Sequence, residues 1–301
     1  MHNFLRAVGL KQLKTNTDVD NFLFNEVICE KNKTAQLAVE GGSVIREYRL
    51  KLGEGIGICA IAESFRSGRM NLSYFPYLNN PDISTREICT VERYTEKESF
   101  AGLTDEYKIG LSLIFFINNP CDYRLLPEAG KLTDFKGTCL SAFSNSGTVL
   151  LPIHSFEEEA EALKRKKEQE SLIEKAKNGD EEAIETLTVA DMDAYSQVAK
   201  RIENEDLYSI VESSFIPCGV ECDLYSVLGE IREVRSTVNS YTDDRIYKLK
   251  IVSNEIEFRL AIREEDLLGV PEKGRRFKGR IWLQGKVDFT NPVLPGENSN
   301  N

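Results

Sequence analysis

The chain has 301 residues, 41% of them hydrophobic, which is enough for two or three domains that each bury a core. Its formal net charge of −11 makes general adhesion to nucleic acid or to anionic membranes a poor explanation of its function. The N-terminus lacks the apolar core of a signal peptide, and the most apolar run, residues 109–117, is too short to span a bilayer. The seven cysteines are odd in number and scattered, as is typical of reduced thiols. We therefore expect a soluble cytoplasmic protein that does not bind membranes.

The first 155 residues show two short helical signals and then strand patterns separated by turn residues. Three hairpins are predicted, from residues 44–52 with 58–62, from 100–104 with 108–117, and from 140–143 with 148–153. The motif Asn79-Asn80-Pro81 recurs as Asn118-Asn119-Pro120, a faint hint of internal duplication. Residues 1–155 are expected to form an α+β domain, a mixed domain with a largely antiparallel sheet.

The character of the sequence changes at Ser155. Residues 156–212 contain 17 acidic and 8 basic residues, so this segment carries most of the net charge. Ser155 and Glu158 form a capping box, and Asn178-Gly179 is a typical helix end. We expect residues 156–217 to form an acidic helical connector whose charges lie mainly on solvated faces.

The last quarter returns to alternation. Apolar residues alternate with charged ones in 247–251, 256–263 and 276–283, with an opening strand at 227–234 and a possible fifth strand at 286–289. A short helix is expected at 264–268. This order fits a small OB-like β-barrel over residues 218–290, although another small barrel fits the pattern as well. Residues 291–301 are expected to form a flexible tail.

The outward strand faces of this barrel carry a set of cations and one aromatic residue. We take these as the candidate ligand-binding residues: Lys248, Lys250, Arg259, Arg276, Lys278, Arg280 and Trp282. Cations beside an aromatic stacking platform are what single-stranded nucleic acid or another polyanion requires. Two alternatives remain, because outward strand faces are commonly charged and because the acidic connector could dock on this face and neutralise it.

No motif indicates catalysis. The glycines of residues 53–57 follow a GxGxG spacing and precede a strand, which favours a hairpin turn over a phosphate loop. Cys218 and Cys222 lack two further zinc ligands, and His154 is the only histidine away from the N-terminus. We therefore expect no catalytic residue, no metal and no cofactor, although a pair of carboxylates could still perform catalysis once the chain is folded.

Several motifs resemble an uncharacterised domain-of-unknown-function family of anaerobic Gram-positive bacteria. They are residues 1–9 (MHNFLRAVG), 178–185 (NGDEEAIE), 221–223 (ECD), 228–231 (LGEI) and 274–285 (GRRFKGRIWLQG). The resemblance spans most of the chain. It implies a bacterial cytosolic setting but no activity or ligand, so no functional residue is carried over from it.

Three functions remain open at this point. The first is a non-catalytic cytosolic binding or scaffolding protein that acts through self-association or a protein partner. The second is binding of single-stranded nucleic acid or another polyanion through the C-terminal barrel. The third is an enzyme with a carboxylate-based site in the N-terminal domain.

Overall fold

The computed structural model describes residues 2–39, 42–93, 99–106, 110–124, 135–153, 211–219 and 222–289. Of these residues, 57% lie in strands and 14% are helical, so the fold is mostly β and the expected α+β class is wrong. Most of the expected acidic helical connector lies outside the described residues. Its end is described and contains a strand, Ser214–Pro217, where a helix was expected.

Within the described ranges, the helices are few and short. They are α1 (Asn16–Phe22), α2 (Pro120–Arg124), the 3₁₀ segments His2–Val8, Glu30–Asn32 and Glu264–Asp266, and a π-helical segment, Leu23–Val27. The two N-terminal helical signals fall on the 3₁₀ segment His2–Val8 and on α1, which is capped by Thr15 in a capping box with Asp18. The described residues between 2 and 150 and between 214 and 289 belong to one compact unit.

Four antiparallel strands form a small sheet in sequence order. They are β1 (Lys33–Ala38), β2 (Val44–Gly53), β3 (Ile56–Ser64) and β4 (Met70–Leu78). The first predicted hairpin is confirmed, because β2 and β3 pair in antiparallel register up to Gly53 and Ile56. Gly55 occupies the turn at φ 75°, a conformation that glycine adopts without steric cost.

The other eleven strands form one large sheet. They are β5 (Cys89–Arg93), β6 (Phe100–Glu106), β7 (Leu111–Ile117), β8 (Phe135–Ser144), β9 (Gly147–Leu150), β10 (Ser214–Pro217), β11 (Leu224–Val238), β12 (Arg245–Ser253), β13 (Ile256–Arg263), β14 (Leu267–Leu268) and β15 (Arg276–Phe289). Its main path runs β10-β11-β12-β13-β8-β15-β7-β6-β5. The second predicted hairpin, β6 with β7, is confirmed. The third is wrong, because β8 and β9 do not pair with each other but each pairs with β15.

Five strands of the large sheet close into a ring. β11 pairs with β12 and with β15, while β13 and β15 both pair with β8. The expected OB-like barrel made by the C-terminal segment alone is therefore wrong, since the ring takes β8 from the N-terminal half. The residues expected to form a separate fifth strand, 286–289, instead continue β15. A parallel pairing of β8 with β13 supplies the closure, and such a long-range pairing has no local sequence signal.

Two apolar cores explain this arrangement. The inward side chains of the ring, among them Ile251, Phe258 and Phe277, form one buried cluster. Outward side chains of the ring, including Phe143 and Trp282, belong to a second cluster together with α1 and the small sheet. The outer face of the ring is thus partly an internal surface, covered by the N-terminal part of the chain.

An ion-pair network ties the first helical segment to the end of β13. Asp266 accepts hydrogen bonds from Arg6 and from Arg263, whose Nε lies 3.0 Å from Asp266 Oδ2. Burial alone would raise the pKa of Asp266, but the hydrogen bonds from the two guanidinium groups lower it overall. The ionised carboxylate therefore stabilises the folded state.

We expect the stability advantage of the wild type over Asp266→Asn to depend on pH. Because the folded-state pKa of Asp266 is lowered, its contribution is full above the unfolded pKa of about 4 and is lost as pH falls through the folded value. Urea unfolding of both proteins between pH 7 and pH 3 measures this difference. A constant difference across that range would contradict the assigned role of the network.

Candidate functional site

A row of polar side chains crosses the outer face of the ring, where the sequence predicted a ligand-binding surface. Strand register aligns Gln284 with Ser141, Ser141 with Arg259, Arg259 with Lys250, and Lys250 with Glu233. We call these five residues the polar belt. It contains two of the predicted residues, Lys250 and Arg259.

The loop that follows β4 forms hydrogen bonds and ion pairs with the polar belt. Arg259 donates from Nε to Asn80 Oδ1 at 3.2 Å and from Nη2 to Asp82 Oδ2 at 3.0 Å. Lys250 Nζ lies 2.7 Å from Glu257 Oε1 and 3.4 Å from Asp82 Oδ2. Hydrogen bonds from Arg259 and Lys250 lower the pKa of Asp82 even though burial acts in the opposite direction. These contacts let the two cations hold the loop after β4 on the ring.

Two more predicted residues are internal as well. Lys248 is buried and donates from Nζ to the carbonyl oxygen of Glu54, in the β2–β3 turn, at 2.7 Å. Trp282 is only 4% exposed, stacks on Phe4 with ring centroids 5.3 Å apart, and donates from Nε1 to Asp223 at 2.7 Å. The aromatic platform expected for base stacking is therefore part of the core.

The remaining predicted residues lie at the start of β15. Arg276, Lys278 and Arg280 pair in register with β11, at Glu230, Leu228 and Ser226. Arg276 is buried, Lys278 is half-buried, and both take part in further interactions. Arg280 is exposed. The structure thus separates the predicted set into an internal group on β12, β13 and the middle of β15, and a second group at the start of β15.

The residues that cover the polar belt were not predicted from the sequence, although the repeated Asn-Asn-Pro motif contains one of them, Asn80. In the two repeated Asn-Asn-Pro motifs, the second asparagine binds strand backbone. Asn80 donates to the carbonyl of Leu140, and Asn119 exchanges hydrogen bonds with the N–H and carbonyl of Val287. Each motif directly follows a strand, β4 or β7. The repetition therefore marks two loops that complete hydrogen bonding on the ring.

A second buried polar group lies in the small sheet. Arg49 donates from Nε to Glu47 Oε1 at 2.7 Å and from Nη2 to the carbonyl of Asn118 at 2.7 Å. Cys59 and Cys121 lie beside this pair, and burial raises the pKa of both thiols. A raised pKa keeps a thiol protonated and unreactive, because the thiolate is the nucleophile. This arrangement favours a structural role for both cysteines.

Among the described residues, two strongly exposed apolar side chains lie two positions apart, at the end of β14 and just after it. Leu268 is 72% exposed and Val270 is 61% exposed. We call residues 268–270 the apolar loop. Burying two aliphatic side chains against a partner stabilises a complex, by about 1.5–3 kcal/mol for each one fully buried.

The apolar loop is fixed in position. Leu268 pairs with Thr148 on β9, and Gly269, at φ 91°, lies so close to Val149 that a Cβ would come within 3.2 Å of it. Arg275 donates to the carbonyl oxygen of Val270 at 3.0 Å. A fixed loop loses little conformational entropy when a partner binds.

The other candidates from the sequence contribute less. Cys218 is exposed and Cys222 half-buried, and the described part of the chain has no group of three or more metal-ligating side chains. His154 lies outside the described residues. Gly53–Gly57 is the β2–β3 turn, as expected. Among the described residues, no helix is long and apolar enough to cross a membrane.

One comparison with known proteins gives a match. A family model described as a domain of unknown function, from an E. rectale gene description (DUF3881), matches residues 5–285. No curated protein and no solved structure matches the chain. The family match confirms the resemblance to an uncharacterised family and brings no ligand, activity or site residue with it.

Proposed function

The chain belongs to the family of domain of unknown function DUF3881, and from its own surface features we propose that it is a non-catalytic cytoplasmic binding protein that contacts another protein through the apolar loop. The observation that carries this proposal is the pair of highly exposed aliphatic side chains, Leu268 and Val270, on a loop held by backbone pairing and by Arg275. Exposed apolar groups on a pre-organised loop are typical of protein contact sites.

The charged groups near the apolar loop fit a protein partner better than a polyanion. Glu264, Glu265 and Glu272 are exposed on either side of it, together with Lys273. Mixed charge around an apolar centre is the usual composition of a protein interface. A second copy of the chain is one form that such a partner could take.

The polyanion alternative has less support. Four of its seven proposed residues, Lys248, Lys250, Arg259 and Trp282, make internal contacts that hold the ring to the N-terminal part of the chain. The enzyme alternative rests on carboxylates in the N-terminal half. Of these, Glu47 is bound by Arg49 and Glu63 accepts a hydrogen bond from Ser43. Such paired carboxylates support structure more directly than catalysis.

Site-specific photo-crosslinking tests the proposal. A photoreactive phenylalanine analogue is placed at position 268 of the full chain and, as a control, at position 88, where Ile88 is 78% exposed elsewhere on the protein. We expect a crosslinked protein partner from position 268 only. Equal crosslinking from both positions would reject the apolar loop as the contact site.

Binding by the purified partner gives the quantitative test. Because both side chains are exposed, a Leu268→Ser, Val270→Ser variant should fold normally and bind at least about tenfold more weakly, which corresponds to about 1.4 kcal/mol. Ile88→Ser is the matched control and should bind like the wild type. An unchanged affinity of the double variant would overturn the proposal.

A further inference from the structure

Two oxygen atoms of the polar belt lie in the interior without a hydrogen-bond partner among the described residues. They are Ser141 Oγ and Gln284 Oε1. Both side chains are fully or almost fully buried. Buried polar groups in folded proteins nearly always have a partner, and an ordered water is the usual one when the protein supplies none.

The strand register brings these two oxygens together. Ser141 and Gln284 are direct cross-strand neighbours on β8 and β15, and both side chains lie on the outer face of the ring. Directly opposed residues of antiparallel strands have Cβ atoms about 4.5–5.5 Å apart. Side chains on residues spaced in this way can both be reached by one bridging molecule that makes a hydrogen bond of about 2.8 Å on each side.

The polar groups next to these two oxygens already form hydrogen bonds within the protein. Gln284 Nε2 donates to the carbonyl of Pro76 on β4 at 2.9 Å, which fixes the amide and turns Oε1 away from Pro76. Arg259, next to Ser141 on the other side, is held by Asn80 and Asp82. Ser141 and Gln284 are thus the two belt residues with a buried side-chain oxygen that has no partner among the described residues.

The chemistry of the two oxygens selects the ligand. Gln284 Oε1 is acceptor-only, so it disfavours an anion. A cation at this position would lack a free carboxylate, because Asp82 already pairs with Arg259. A small neutral molecule that both donates and accepts satisfies both oxygens.

We propose that the polar belt contains a binding site for one buried water molecule. This water donates to Gln284 Oε1 and exchanges a hydrogen bond with the Ser141 hydroxyl. It links β8 and β15 to β4 through the Gln284 amide, and so takes part in holding the N-terminal sheet on the ring. The site is independent of the apolar loop.

A crystal structure of the full chain at a resolution that shows ordered solvent tests the proposal. We expect one density peak within hydrogen-bonding distance of both Ser141 Oγ and Gln284 Oε1. The absence of that peak, or a Ser141 rotamer that bonds directly to Gln284, would overturn it. A peak that contacts only one of the two side chains would overturn the bridging role.

The Ser141→Ala variant provides the second test. It removes one partner of the water while adding no bulk, so we expect the fold to persist, the peak to be lost and Gln284 Nε2 to remain on Pro76. Ser226→Ala, on the exposed part of β11, is the matched control and should keep the peak. A peak that stays in place in Ser141→Ala would show that Ser141 does not hold the water. If that variant does not crystallise, magnetic relaxation dispersion in solution counts the long-lived internal waters instead. We expect one such water fewer in Ser141→Ala than in the wild type. An equal number in the two proteins would overturn the proposal.

Discussion

Replacing Trp282 by alanine should lower the free energy of unfolding by about 3–5 kcal/mol, the range typical of large aromatic side chains removed from a core. The indole is 4% exposed and lies among Phe4, Phe116 and Phe143, with ring-centroid distances of 5.3, 5.3 and 6.1 Å. Its Nε1 also donates to the partly buried Asp223, which would lose that partner. Urea unfolding followed by far-ultraviolet circular dichroism measures the change without relying on tryptophan fluorescence.

Phe24→Ala is the matched control for this experiment. Phe24 is an exposed aromatic residue, so its removal should change the free energy of unfolding by less than about 0.5 kcal/mol. A loss of less than about 1 kcal/mol in Trp282→Ala would mean that the indole is not a core residue. In that case the earlier interpretation of Trp282 as a stacking platform would regain support.

Removing the cation of the Glu47–Arg49 pair should have an effect of similar size. Arg49→Met leaves the buried Glu47 carboxylate without its guanidinium, and breaking a buried pair on one side costs about 3–5 kcal/mol. Burial alone would lower the pKa of Arg49, but the charge of Glu47 and its hydrogen bond raise the pKa overall, so the wild-type group is charged. We expect a value near the lower limit, because the Arg49 side chain retains some exposure.

The double variant Glu47→Gln, Arg49→Met separates the charge effect from packing. It leaves no uncompensated charge, so its free energy of unfolding should lie closer to the wild type than that of Arg49→Met alone. Unfolding of the wild type, both single variants and the double variant completes the thermodynamic cycle. Additive losses would show that Glu47 and Arg49 do not interact in the folded protein.

The expected loss in Trp282→Ala rests on aromatic contacts that the sequence did not indicate. Alternation correctly predicted which residues of β12 and β13 point inward, such as Leu249 and Phe258, and which point outward, such as Lys250 and Arg259. It predicted nothing about what lies against the outward face. Alternation is a property of a single strand, whereas the cover comes from residues some 180 positions away, such as Asn80 and Asp82.

The family membership and several local elements could be predicted because their signals are local in the sequence. The motifs that carry the resemblance are continuous in the chain, and so are the signals for α1, for the β2–β3 hairpin and for β15. The candidate apolar loop was not predicted. Residues 264–268 were expected to form a helix, and the exposure of Leu268 follows only from the pairing of β14 with β9.

The sequence by itself determined the inward and outward faces of the C-terminal strands, the β2–β3 and β6–β7 hairpins, and the membership in an uncharacterised family. Each of these depends on residues close together in the chain, where periodicity and turn chemistry act directly. Only the tertiary structure decided that β8 completes the ring, that the belt is covered, and that Trp282 lies in a core. These outcomes depend on which distant strands and loops come into contact. The favourable free energy of folding comes from apolar burial and ion pairing between such segments, and the local sequence of a segment does not indicate its partner.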